Sequence, residues 1–119
     1  MITLEEQLNI QYDEVRRMLH ELQFSVHRNG YKQLFILIPR YALDNTQSMT
    51  KELYPYAAEY FGYTSWQPIE HAIRVAIVDA WKQRDIAKWK QYFPTVTKPP
   101  SNKLFIATLA ERLKKTPPV

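Results

Sequence analysis

Side chains with the chemistry of nucleic-acid recognition are concentrated in residues 67–78. Polar residues recur there at helical steps, so they share one face of a predicted helix. Arginine can donate two hydrogen bonds to guanine, glutamine pairs with adenine, and glutamate accepts from cytosine. The face therefore predicts base reading in the major groove of DNA, although an ordinary helical hairpin with a mixed outer face would show the same pattern. Its residues are Gln67, Glu70, His71, Arg74 and Val78.

Basic side chains follow this stretch. Residues 82–115 carry nine Lys or Arg and two acidic residues, residues 28–81 carry five of each, and residues 1–27 carry two basic and five acidic residues. The charge thus runs from −3 through 0 to +7, which gives the net +4. This asymmetry favours a polyanionic partner for the C-terminal third, while Lys-rich solvated helix faces are the alternative. The predicted phosphate contacts are Lys82, Arg84, Lys88 and Lys90, with Lys98 and Lys103 as weaker candidates.

Catalytic and metal chemistry has little support in the sequence. The absence of cysteine excludes disulfides, thiolate catalysis and Cys-ligated metal sites. Two glycines are too few for a P-loop or a glycine-rich dinucleotide turn. His20, His27 and His71 form no zinc-binding spacing, and Glu70 diverges from His71 by about 100° on a helix. We therefore expect no enzymatic activity, no cofactor and no metal.

The chain length of 119 residues predicts one domain, residues 1–119. A chain of this size buries roughly two-thirds of its unfolded surface, so it needs no metal or disulfide to hold a core. No apolar stretch approaches the ~20 residues of a membrane span. Met1 leads into acidic residues and not into a basic signal-peptide start. We expect a cytoplasmic domain without membrane association.

Helical periodicity governs the N-terminal half. Thr3 and Glu6 form a capping box at the start of a first amphipathic helix. The apolar run 34–38 fits a buried strand or a buried helix, and we favour a helix because a lone strand would have no partner. Residues 49–61 predict a third helix, with Pro55 either in its first turn or marking a break.

A helix-turn-helix is predicted next. The third helix ends at Gly62, and the turn runs through 63–66. Thr64 and Gln67 form a T-x-x-Q capping box for the fourth helix, with Pro68 in its first turn. The predicted buried stripe of this helix is Ile69, Ile73, Ala76, Ile77 and Ala80.

Two further helices complete the prediction of an all-α, six-helix domain. Asp85 can cap a short helix through Tyr92, and Ser101 can cap the last one. Pro117 and Pro118 are predicted to lie in a frayed tail. The apolar side of the last helix is Phe105, Ile106, Leu109 and Leu113.

Ordered motifs over residues 19–114 resemble a known family, the C-terminal DNA-binding effector domain of the sporulation response regulator, stage zero sporulation protein A. The resemblance implies a six-helix fold with a helix-turn-helix, which binds double-stranded DNA and activates or represses transcription, often as a homodimer on tandem promoter boxes. The matching motifs are LHEL (19–22), His27 with Gly30-Tyr31, TKELYP (50–55), Phe61, EHAIRVAI (70–77), Ala80-Trp81 and KPPSNKLFIATLAERL (98–113).

The resemblance also implies roles for particular residues. The family's recognition helix reads bases through an E-R-x-x-R-H pattern, which Glu70 and Arg74 match. His71 stands where the family has Arg, and Val75 where it has His, so half of the reading pattern is changed. Segment 82–93 corresponds to the family's contact with the RNA polymerase sigma subunit, and a basic surface helix is the alternative for it.

Two differences from the family leave alternatives open. The family joins this domain to a phosphorylatable receiver, which 119 residues cannot also contain, so we expect no receiver domain; the chain is either an excised fragment or a stand-alone relative. The changed reading positions, with Val75 and Val78 apolar where water is expected, also fit a protein-interaction module that no longer binds specific DNA. The same two valines could instead touch thymine methyl groups.

Overall fold

A computed structural model describes residues 3–115, except the side chains of residues 7 and 8. The described residues form helices and no strand, which confirms the predicted all-α fold with six helices. A π-helical turn at Met49–Leu53 runs directly into the third helix. The predicted tail at Pro117 and Pro118 lies outside the described residues. The helices are α1 (Leu4–Glu21), α2 (Asn29–Leu43), α3 (Tyr54–Phe61), α4 (Gln67–Lys82), α5 (Ile86–Tyr92) and α6 (Asn102–Lys114).

Three helices begin at the caps that the sequence predicts. The Thr3 hydroxyl accepts a hydrogen bond from the Glu6 backbone N–H at 3.1 Å, and the Glu6 carboxylate accepts one from the Thr3 N–H. The side chains of Asp85 and Ser101 accept the N–H of the third residue of α5 and α6. These bonds satisfy N–H groups that have no partner within a helix.

The predicted cap of α4 is wrong. Thr64 does not cap the helix, because α4 begins at Gln67 after Trp66, and no side chain caps it. The Trp66 indole, directly before the helix, stacks on the ring of Tyr54, with the ring centroids 5.8 Å apart. Pro68 lies in the first turn, where its missing N–H costs little.

The structure decides between the alternatives left open for residues 34–38 and for Pro55, and it shows how α3 ends. The apolar run 34–38 lies in α2, which continues through Pro39. Pro55 lies in the first turn of α3, where the π-helical turn gives way to α-helix. Gly62 ends α3 with φ at 79°, a left-handed conformation that glycine adopts without a Cβ penalty. α3, residues 62–66 and α4 form the helix-turn-helix.

α2 lies at the centre of the packing and contacts α6, α4, α1 and α3. Gly30 in its first turn allows the backbones of α2 and α4 to approach closely. A Cβ at Gly30 would lie 2.3 Å from the carbonyl oxygen of Ala72 and 2.6 Å from the Cβ of Ala76. The predicted inner stripe of α4 is buried in full, so the opposite face of this helix is directed outward.

Candidate nucleic-acid interface

The outward face of α4 forms one wall of an open groove of about 760 Å³, here called the first groove. Glu70, His71 and Arg74 line it from α4. The first turn of α6 and the segment before it supply two lysines on the other side, Lys98 and Lys103. Three polar residues of the predicted reading face therefore share one groove with cations from a different part of the chain. The remaining lining residues are Met49, Thr50, Tyr54, Pro99, Ser101 and Asn102.

Arg74 connects α4 to the segment before α6. Its Nη1 donates a hydrogen bond to the backbone carbonyl oxygen of Pro100 at 2.6 Å. The guanidinium carries five N–H groups in a planar fork, so this bond leaves its other donors for a further partner. Glu70, one turn earlier, forms no ion pair with Arg74 among the described residues. The contact with Pro100 therefore holds the guanidinium over the first groove.

Asn102 fixes the floor of the first groove. Its side chain is buried, and its Nδ2 donates to the Glu70 carbonyl oxygen at 3.0 Å and to the Tyr54 hydroxyl at 3.2 Å. One side chain thus joins α3, α4 and α6. Burial raises the pKa of Tyr54 above its ordinary value, against the opposing effect of the Asn102 bond. The Tyr54 hydroxyl therefore stays protonated at neutral pH and remains a donor.

A second groove, of about 340 Å³, lies along the same face of α4. His71 and Arg74 line both grooves and form a ridge between them. Nη2 of Arg28, which precedes α2, lies 3.2 Å from Oδ1 of Asp79 across this groove. Val75 is 37% exposed here. The lining residues of the second groove are Arg28, His71, Arg74, Val75, Val78, Asp79 and Lys82.

The sequence matches the family model described as "Sporulation initiation factor Spo0A C terminal" over residues 15–113. The chain belongs to this family. Family membership implies a DNA-binding effector domain that acts in the regulation of sporulation and transcription. The family is one of DNA-binding domains and not of enzymes. A comparison with curated proteins gives no match. Across residues 3–115, no helix has both the length and the apolar character needed to cross a membrane.

The remaining predicted contacts are spread over the surface of the domain. Gln67 is exposed at the first residue of α4 but lines neither groove, whereas Lys82 lines the second. The Arg84 guanidinium lies 3.9 Å from the centre of the Trp81 ring and donates to the Trp81 carbonyl oxygen at 3.0 Å. Lys88 and Lys90 are exposed on α5, outside both grooves.

Arg28, Thr50 and Asn102 are among the groove residues that were not sequence-predicted contacts. The position of Arg28 could have been predicted from the sequence, because Gly30 two residues later marks a close approach of two helices. The residues around such a glycine lie beside the neighbouring helix, here α4. Thr50 and Asn102 carried no local signal, since tertiary packing alone brings the π-helical turn and the start of α6 to the groove.

Proposed function

We propose that the domain binds double-stranded DNA sequence-specifically, with the outward face of α4 in the major groove. The observation that carries the proposal is the ridge of His71 and Arg74, with Glu70 beside it in the first groove, between two grooves that contain cations. The major groove of B-DNA is about 12 Å wide and admits an α-helix. Arg74 would donate to guanine and Glu70 would accept from cytosine, with His71 between them and Gln67 at the helix start for adenine.

Cations on both sides of the ridge fit the two phosphate backbones that border a major groove. Lys98 and Lys103 lie beside the first groove, and Lys82 beside the second. Contacts to phosphates position a protein on DNA, while contacts to base edges specify the sequence. We therefore expect the ridge to contact base edges and the flanking cations to contact phosphates.

Replacement of Arg74 by lysine tests the assignment of base reading. Arg74→Lys keeps the positive charge but removes the planar fork that bonds guanine O6 and N7 together. We expect the variant to lose ~1–3 kcal/mol on a duplex selected from a random pool and much less on a scrambled duplex. Fluorescence anisotropy titrations on both duplexes measure the difference.

The matched control is Lys88→Arg, which exchanges the same two residue types on α5 outside both grooves. We expect this variant to bind both duplexes like the unaltered domain. Equal losses for Arg74→Lys on the two duplexes would remove Arg74 from base reading. A domain that binds no duplex even at low salt would favour the alternative, a protein-interaction module of the same fold.

Two further partners follow from family membership as proposals. We propose that the domain pairs on tandem DNA sites, so light scattering should find a monomer in the free protein and two copies on a duplex with adjacent boxes. A stable dimer without DNA would contradict this.

We also propose that segment 82–93 contacts the RNA polymerase sigma subunit, since Ile86 is 58% exposed there among basic residues. Ile86→Asp should then weaken sigma binding without changing DNA affinity.

A further inference from the structure

An apolar surface interrupts the polar face of α4. Val75 is 37% exposed, and Val78 lies one turn further along the same groove, partly buried. Both side chains are β-branched, which restricts χ1 and presents their methyl groups in a fixed direction. The second groove therefore has a rigid apolar strip, and Arg74 lines the same groove.

The charges around this strip indicate what it contacts. Arg74 and Lys82 line the same groove, and Arg28 reaches it from the start of α2. Arg28 is paired with Asp79 within the groove. An apolar protein segment placed here would desolvate Arg74 and Lys82 without giving either a charged partner, which is costly. A DNA duplex instead brings phosphates to the cations and base edges to the ridge. The strip is thus continuous with the proposed DNA interface.

We propose that Val75, supported by Val78, recognises the C5-methyl group of a pyrimidine in the major groove. This inference rests on the proposed DNA binding and deepens it. The methyl group is the apolar feature of thymine on the major-groove edge, and valine methyl groups can pack against it. Cytosine presents the same group at the same carbon when it is methylated.

The position of the methyl group relative to the guanine contact follows from helix geometry. Arg74 and Val75 are adjacent in α4, and Val78 lies four residues from Arg74. Side chains three or four residues apart lie about 5–6 Å from one another, whereas successive bases rise by about 3.4 Å. The methylated pyrimidine should therefore lie within one or two base pairs of the guanine that Arg74 contacts.

Deoxyuridine substitution tests the proposal, because it removes the C5-methyl group and leaves the hydrogen-bonding edge unchanged. Each thymine of the selected duplex is replaced in turn, and the affinity is measured for the unaltered domain and for Val75→Ala. We expect one position at which the unaltered domain loses about fourfold in affinity, the effect of one buried methyl-sized group. At that position Val75→Ala should bind the thymine and deoxyuridine duplexes equally.

A second arm distinguishes thymine from methylated cytosine. The same position is changed to cytosine or to 5-methylcytosine, each paired with guanine. Weaker binding to 5-methylcytosine than to thymine identifies thymine as the natural feature, and stronger binding identifies methylated cytosine. If no deoxyuridine lowers the affinity, cytosine and 5-methylcytosine are compared at every thymine position, and equal binding to the two throughout would overturn the proposal.

Val26→Ala is the matched control. Val26 is 42% exposed between α1 and α2 and lines neither groove, so its loss of the same methyl groups should not change the preference for thymine. Sequence-specific binding that ignores deoxyuridine would refute methyl recognition and leave the proposed function intact. Absence of binding to any duplex would refute both.

Discussion

Cations in two regions of the domain have different surroundings. Around α4, Lys98 and Lys103 line an open groove together with the side chains of Glu70, His71 and Arg74. Around α5, by contrast, Arg84 lies over the ring of Trp81, and the Arg112 guanidinium lies 4.5 Å from the centre of the Tyr92 ring. All four of these cations belong to the basic C-terminal third of the chain. A count of charges along the sequence therefore identifies a basic segment, but the packing of neighbouring residues decides which charges can meet a polyanion.

The α5 region is built around Trp89. Its ring packs edge-on against Trp81 at 5.5 Å and near Phe93 and Phe105 at 5.6 and 6.2 Å. Its Nε1 donates to the Leu22 carbonyl oxygen at 3.2 Å, which joins α5 to the end of α1. This region stabilises the fold, whereas the α4 region is open to a ligand.

The largest expected effect is the loss of stability when Trp89 of the α5 region is replaced. Trp89→Ala should lower the free energy of unfolding by ~3–5 kcal/mol, because it leaves a cavity in the aromatic cluster. Urea denaturation measures this loss, and Trp89→Phe should cost less because it keeps an aromatic ring. The folded fraction should bind DNA with unchanged affinity. A loss of affinity per folded molecule would show that the two regions are coupled.

Paired lysine substitutions compare the regions at equal change in charge. Lys98→Ala with Lys103→Ala should lower the slope of log K against log [salt] by ~0.9 for each phosphate contact removed. Lys88→Ala with Lys90→Ala removes the same charge from α5 and should leave the slope nearly unchanged. Anisotropy titrations over a range of salt concentrations test both. The reverse result would support the sequence-based prediction that Lys88 and Lys90 contact phosphates, and would extend the interface to α5.

The smallest expected effect concerns Arg84. Arg84→Ala removes its cation–π contact with Trp81 at a half-buried site, worth about 1 kcal/mol, so thermal unfolding should shift slightly downward. DNA affinity should hardly change, because the guanidinium is directed to Trp81 and not to either groove. If affinity fell while stability did not, Arg84 would contact phosphate, as the sequence predicts.

Local patterns in the sequence predicted the helices and the inner face of α4, because periodicity and side-chain caps act within a few residues. Thr64 shows where such patterns fail: its capping motif is present, but the helix begins only after Trp66, whose ring packs on the distant Tyr54. The contacts of the site depend on distant residues. Arg74 donates to Pro100 across 26 positions of the chain. No periodicity within one helix carries that information.

The close approach at Gly30 has a consequence for how such domains acquire new DNA preferences. Because the backbones of α2 and α4 are nearly in contact there, α4 has little room to tilt or slide when it meets a different base sequence. If α4 binds DNA as proposed, its angle of approach is thus set by the fold. Exchange of outward side chains such as His71 and Val75 could then change the preferred sequence while the helices that carry them stay in place.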